Sequence, residues 1–188
     1  MTEPATDATS PIDRYLRHLT AAAYSNDPGI RRLRTWRPDG AVSTDVLRLT
    51  AAAGDDQWIP WALTGKLFAY WNFGRSTVRY GRPGTGLGHA LRSIGQPGAR
   101  GPRNPGAVRL LNRLLTVNSD QELADALDAI GRHLRSVDHP PHWATIAAEL
   151  EAWRDPSTRT DVHVSWARQF NTWHADTVDD TDPAPTTS

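Results

Sequence analysis

Apolar residues recur three and four places apart along most of this chain, and nowhere do they alternate strictly with polar ones. A period of 3.6 gathers such sets onto single helix faces, so the pattern predicts an all-α fold of eight or nine short helices. Ser10, Pro11 and Asp13 supply an N-cap, a first-turn proline and a carboxylate three residues past the cap. The helix they start runs to about 24, with Ile12, Tyr15, Leu16, Leu19 and Ala23 on one side. Asn26-Asp27-Pro28-Gly29 interrupts it, and Asp27 caps a short second helix with Ile30 and Leu33 inward. A third helix is predicted over 44–53. A fourth runs from 58 to about 71, where Ile59, Leu63, Leu67 and Tyr70 or Trp71 mark a helix buried on much of its circumference.

Beyond it, Leu87, Leu91 and Ile94 space one helical segment, and Val108, Leu111, Leu114 and Leu115 another, with Leu110 alongside. Ser119 and Glu122 form a capping box for a helix with Leu123, Ala126, Leu127, Ile130 and Leu134 inward, and Asp125 and Asp128 outward. Helices over 142–154 (Trp143, Ile146, Ala147, Leu150, Trp153) and about 161–175 (Val162, Trp166, Phe170, Trp173) complete the set. Only 76–80 has any strand character. The predicted organisation is a disordered start (1–9), an N-terminal helical bundle (10–83), a C-terminal bundle (84–176) reached through a Gly/Pro-rich connector (95–105), and a disordered acidic tail (177–188).

Composition adds one asymmetry. Net charge is zero, yet residues 31–118 hold 14 Lys and Arg against 4 Asp and Glu, while acid gathers near the C-terminus in the Asp179-Asp180-Thr181-Asp182 run. Global neutrality therefore hides a basic face. Lys66 is the sole lysine, and arginine binds phosphate bidentately and stacks on bases. The absence of Cys excludes disulfides and thiolate chemistry. With no apolar run long enough for a membrane span and no signal-like N-terminus, a cytoplasmic protein with no membrane partner is expected.

Catalytic chemistry finds little support. Gly84-Thr85-Gly86-Leu87-Gly88-His89 has His where a dinucleotide loop needs its third glycine, and reads as a flexible loop. Two prolines between His139 and His142 deny the geometry of a paired-histidine metal site. No nucleophile elbow or P-loop is present, so neither enzyme activity, nor a cofactor, nor a bound metal is expected. Most of the eight Trp lie on apolar faces; Trp36, beside Arg31, Arg32 and Arg34, is kept as a candidate base contact. Arg92 points off its helix face, Arg100 and Arg103 sit in the connector, and Arg109 and Arg113 share one stripe. Asn72–Pro83 carries Arg75, Arg79 and Arg82 with no acid opposing them. These arginines suit a phosphate-backbone binder. The alternative is a helical adaptor whose basic face docks an acidic protein.

Several segments together resemble the small CasB-family subunit of the type I-E CRISPR surveillance complex, Cascade. They are Gly86-Leu87-Gly88-His89-Ala90-Leu91-Arg92-Ser93-Ile94-Gly95, the helices over 108–115 and 119–134, Trp143-Ala144-Thr145-Ile146-Ala147-Ala148-Glu149-Leu150 with Trp153, the aromatic helix over 166–173, and Ile30-Arg31-Arg32-Leu33. The resemblance covers about residues 12–175 and implies a non-catalytic all-α subunit without a cofactor. It further implies two copies stacked head-to-tail, contacting the guide-RNA-binding backbone subunits and the large subunit. Their basic face would follow crRNA and target DNA, chiefly the displaced strand. Carried over by position, Arg31, Arg32, Arg92, Arg109, Arg113, Arg132 and Arg135 match basic positions of the family, and Arg159 and Arg168 correspond loosely.

Overall fold

The most apolar stretch becomes a central helix on which four of the others pack. The computed structural model describes residues 10–172 except positions 42 and 138, and places in them nine α-helices, one 3-10 turn and no strand. These are α1 (Pro11–Tyr24), α2 (Pro28–Thr35), α3 (Thr44–Leu49), α4 (Trp58–Asn72), α5 (Leu87–Arg92), α6 (Pro105–Leu114), α7 (Asp120–Leu134), α8 (Trp143–Arg154) and α9 (Arg159–Asn171). The all-α expectation is borne out. The predicted disordered ends, and Trp173, lie outside the described residues.

Helix α4 has no polar stripe and is buried on nearly every side, as a helix apolar all round must be. It packs against α1 and α2 on the side of the chain's first half, and against α7 and α8 on that of the second. Tyr15 of α1 stacks on Trp61 at 5.1 Å, and its hydroxyl donates to the Trp61 carbonyl at 2.6 Å. On the other side Phe68 and Trp71 meet Trp143 edge-on at 5.6 and 6.5 Å. Buried residues from both halves therefore form one continuous cluster.

Local signals set most boundaries. Ser10 accepts from the Asp13 N–H and Asp27 from the Gly29 N–H. Ser119 accepts from the Glu122 N–H, while Glu122 accepts from the Asn118 N–H. Helix α3 stops four residues before the predicted end, because the Thr50 hydroxyl donates to the Val46 carbonyl at 2.9 Å and the chain turns there, the usual competition of Thr with helical continuation. The 76–80 segment forms no strand; the Val78 N–H is spent on the Tyr24 hydroxyl and the Arg79 carbonyl on the Trp143 indole.

The glycine-rich stretch before α5 is not a flexible loop. Glu149 of α8 accepts from the Leu87 N–H at 2.8 Å and from the Trp166 indole at 3.1 Å through one oxygen, and from Gln169 at 2.6 Å through the other. One carboxylate thereby joins α5, α8 and α9. Gly88 lies so close to the Trp166 carbonyl that no Cβ fits between them. The connector is folded too: its 3-10 turn, Gly101–Arg103, packs on α5, α6 and α9, and Asn104 caps α6 through the Gly106 and Ala107 N–H groups.

Candidate nucleic-acid interface

The foundation of the basic surface is a buried cation. Lys66, with 0 % of its side chain exposed, donates to the Arg34 carbonyl at 2.7 Å, the Trp36 carbonyl at 2.8 Å and Asp128 at 2.7 Å. Three donors meet three acceptors, which is what an ammonium in an apolar helix requires. Two of those acceptors are carbonyls at the C-terminal end of α2, so Lys66 caps that helix from the side. Burial pushes the ammonium below its ordinary pKa, and Asp128 opposes that shift. Asp128 also accepts from Tyr70 and from Arg37, which pairs with Asp125 as well. The expectation that Asp128 points outward is thus corrected. Lys66 needs a buried counter-charge, and the adjacent turn of α7 supplies it.

Above this network three of the predicted arginines converge, and a fourth lies one turn away along α2. The Arg34 guanidinium lies over the Phe73 ring at 4.1 Å and over Tyr70 at 5.9 Å. Arg135, at the end of α7, lies over Phe73 at 5.0 Å. Arg132 sits one turn before Arg135, and together with Arg34 acts electrostatically on the Tyr70 phenol. Arg31 precedes Arg34 by one turn of α2. None of the four has a carboxylate partner among the described residues. Each cation–π contact at an exposed site contributes about 0.5–1 kcal/mol. Stacking uses the faces of the guanidiniums and leaves their in-plane N–H groups for phosphate oxygens. Arg75 holds the base of the patch: it lies over Trp71 at 3.8 Å and donates to the carbonyls of Trp71, Arg135 and Val137.

The remaining arginines divide by what they touch. Arg32 pairs with Asp45 at 2.7 Å. Arg92 donates to the Phe170 carbonyl at 2.9 Å, and Arg159 to the Trp153 and Asn118 carbonyls while lying over Trp153 at 4.5 Å. Arg100 donates to the Gly95 carbonyl at 3.2 Å. Arg103, Arg109, Arg113 and Arg168 are exposed, and their side chains have no hydrogen-bond or ion-pair partner among the described residues. Trp36 is no base contact: it is 7 % exposed and packs on Trp58 at 5.5 Å. His142 hydrogen-bonds Thr145 at the start of α8, and no cluster of metal-ligating side chains occurs among the described residues.

Three residues central to this surface escape a reading of the sequence. Phe73 stands just past an apolar helix and before a glycine, where an aromatic reads as the helix's end. Arg75 is seen only as loop charge. Lys66 carried a usable signal, since one cation inside a continuous apolar helix must have buried partners.

A sequence profile described as CRISPR-associated protein Cse2 matches residues 29–170 of the chain. The chain belongs to the Cse2 family of CRISPR-associated proteins. The crystal structure of CasB from Thermobifida fusca superposes with a TM-score of 0.66, at 21 % identity over 86 % of this chain and 96 % of that one, a likeness of fold. No curated protein matches the chain. The resemblance read from the sequence is therefore borne out. Cse2-family membership implies a structural subunit of a CRISPR Cascade complex, acting among other subunits. No helix among the described residues is long and apolar enough to cross a membrane.

Proposed function

We propose that this Cse2-family chain is a non-catalytic subunit of a type I-E interference ribonucleoprotein. In this reading it holds nucleic-acid backbone, chiefly the displaced non-target strand, on its arginine-rich surface. Two copies would lie along the complex, against the backbone subunits that carry the guide RNA and against the large subunit. The observation that carries the proposal is the Arg34–Phe73–Arg135 stack, with Arg132 and Arg31 each one helical turn away along the chain, four cations from two distant parts of the chain with no carboxylate partner among the described residues. Phosphate contact needs no sequence readout, so it suits a subunit that must serve any guide. R-loop formation is a near-balanced exchange, which modest contacts to the displaced strand can tip.

The test is Arg34→Ala, Arg132→Ala and Arg135→Ala together in a reconstituted complex, with R-loop lifetime measured against salt. Each lost phosphate contact on a single strand lowers the log–log salt slope by about 0.7, so the triple variant should lower it by about 2. An unchanged slope with loss of complex assembly instead identifies the surface as a dock for an acidic protein partner.

A further inference from the structure

A second basic surface lies away from the arginine stack. Residues 78–82 run between α1 and the start of α8, fixed at three points. The Tyr80 hydroxyl bonds to Thr20 and to the Leu16 carbonyl of α1. The Tyr24 hydroxyl accepts from the Val78 N–H at 3.3 Å. The Trp143 indole donates to the Arg79 carbonyl at 3.1 Å. Gly81 is pressed against the Pro140–His142 backbone, where no Cβ fits, so the segment has little room to shift.

Beside it opens a cleft of about 390 Å³ lined by Asp13, Leu16, Arg17, Tyr80 and His142. Pockets for small ligands begin at about 300 Å³, so one nucleotide fits. Tyr80 is 45 % exposed. Phe73 carries a guanidinium from each of two arginines, whereas Tyr80 has no ring or cation stacked on it among the described residues. Arg17, Arg79 and Arg82 are exposed with no ion-pair partner among those residues, and the one lining carboxylate, Asp13, is engaged by the Ser10 hydroxyl at 2.8 Å. A bare aromatic face, fixed by its own hydroxyl and flanked by unneutralised arginines, is the arrangement that holds single-stranded nucleic acid.

We infer that this cleft is a binding subsite for single-stranded nucleic acid, one base stacking on Tyr80 while the flanking phosphates meet Arg17 and Arg82. The inference rests on the nucleic-acid reading above and adds to it a stacking site that reading lacks. The test uses the full chain and a single-stranded thymidine oligomer carrying 4-thiothymidine, at low salt, followed by fluorescence anisotropy and by mapping of photo-crosslinks. The expected result is a crosslink to Tyr80 and a loss of affinity of about 5- to 100-fold in Tyr80→Ala. Tyr80→Phe, which keeps the ring and loses the hydroxyl bonds that fix it, should bind between wild type and Tyr80→Ala, and Arg17→Ala should bind more weakly without unfolding. The Arg34→Ala/Arg132→Ala/Arg135→Ala chain runs alongside. If that variant loses binding while Tyr80→Ala and Arg17→Ala match wild type, the cleft proposal falls and the arginine stack stands. If the wild-type chain does not bind the oligomer at all, both fall.

Discussion

Replacing Lys66 by Met gives the sharpest test of how the basic surface is built. Methionine is close in length and apolar, so α4 keeps its packing and loses only the ammonium. Three hydrogen bonds disappear at once, to the Arg34 carbonyl, the Trp36 carbonyl and Asp128. Removing one partner of a buried ion pair costs about 3–5 kcal/mol. Asp128 keeps Arg37 and Tyr70 as partners, so the lower end applies. A loss of about 3 kcal/mol corresponds to a melting point lower by about 6–12 °C for a chain of this size. Urea unfolding monitored by tryptophan fluorescence measures it, with the urea m-value checked for constancy. Asp128→Asn in the Lys66→Met background should then cost less than in wild type, because the pair has already been broken. A single-variant loss below about 1 kcal/mol, or strictly additive effects, would show that the ammonium does not hold α2 and α7 together.

Three further outcomes follow from buried contacts. Glu149→Ala should destabilise by about 2–4 kcal/mol, because the Leu87 N–H, the Trp166 indole and the Gln169 amide all lose their acceptor. Burial raises the Glu149 carboxyl above its ordinary value of 4.5, against the pull of those hydrogen bonds. The folded chain thus keeps a proton that the unfolded chain has released, and this group's stabilisation falls as pH rises from about 4.5 through the raised value. The stability difference between wild type and Glu149→Gln, followed by denaturant midpoint over that window, should carry this slope; a flat difference would refute it. Gly88→Ala drives a methyl into the Trp166 carbonyl and should cost about 1–3 kcal/mol, whereas Gly54→Ala, with nothing within 4 Å, should stay within about 0.5 kcal/mol of wild type. Paired calorimetric melts decide both.

What could be read from the sequence follows the range of the interaction responsible. Ser10, Asp27 and Ser119 cap helices through atoms two or three residues away, so their spacing announces them. The apolar period likewise locates α4 and α7. Lys66 and Asp128, or Arg34, Phe73 and Arg135, meet only after α2, α4 and α7 pack, and no local pattern encodes that meeting. Trp36 misleads for the same reason: its arginine neighbours along the chain suggest a surface, while its neighbour in space is Trp58. Charge count alone also overstates the free cations, since Arg32, Arg37 and Arg48 are already balanced by Asp45, Asp125, Asp128 and Asp27.

The sharing of α4 between both halves bears on how this protein can be engineered. A fragment ending near residue 83 would present Phe68, Trp71 and their neighbours to solvent, and one beginning there would bare the faces of α7 and α8 that met them. Neither piece could be transplanted as a module, but the two, made as separate polypeptides, carry the complementary seam needed to reassemble.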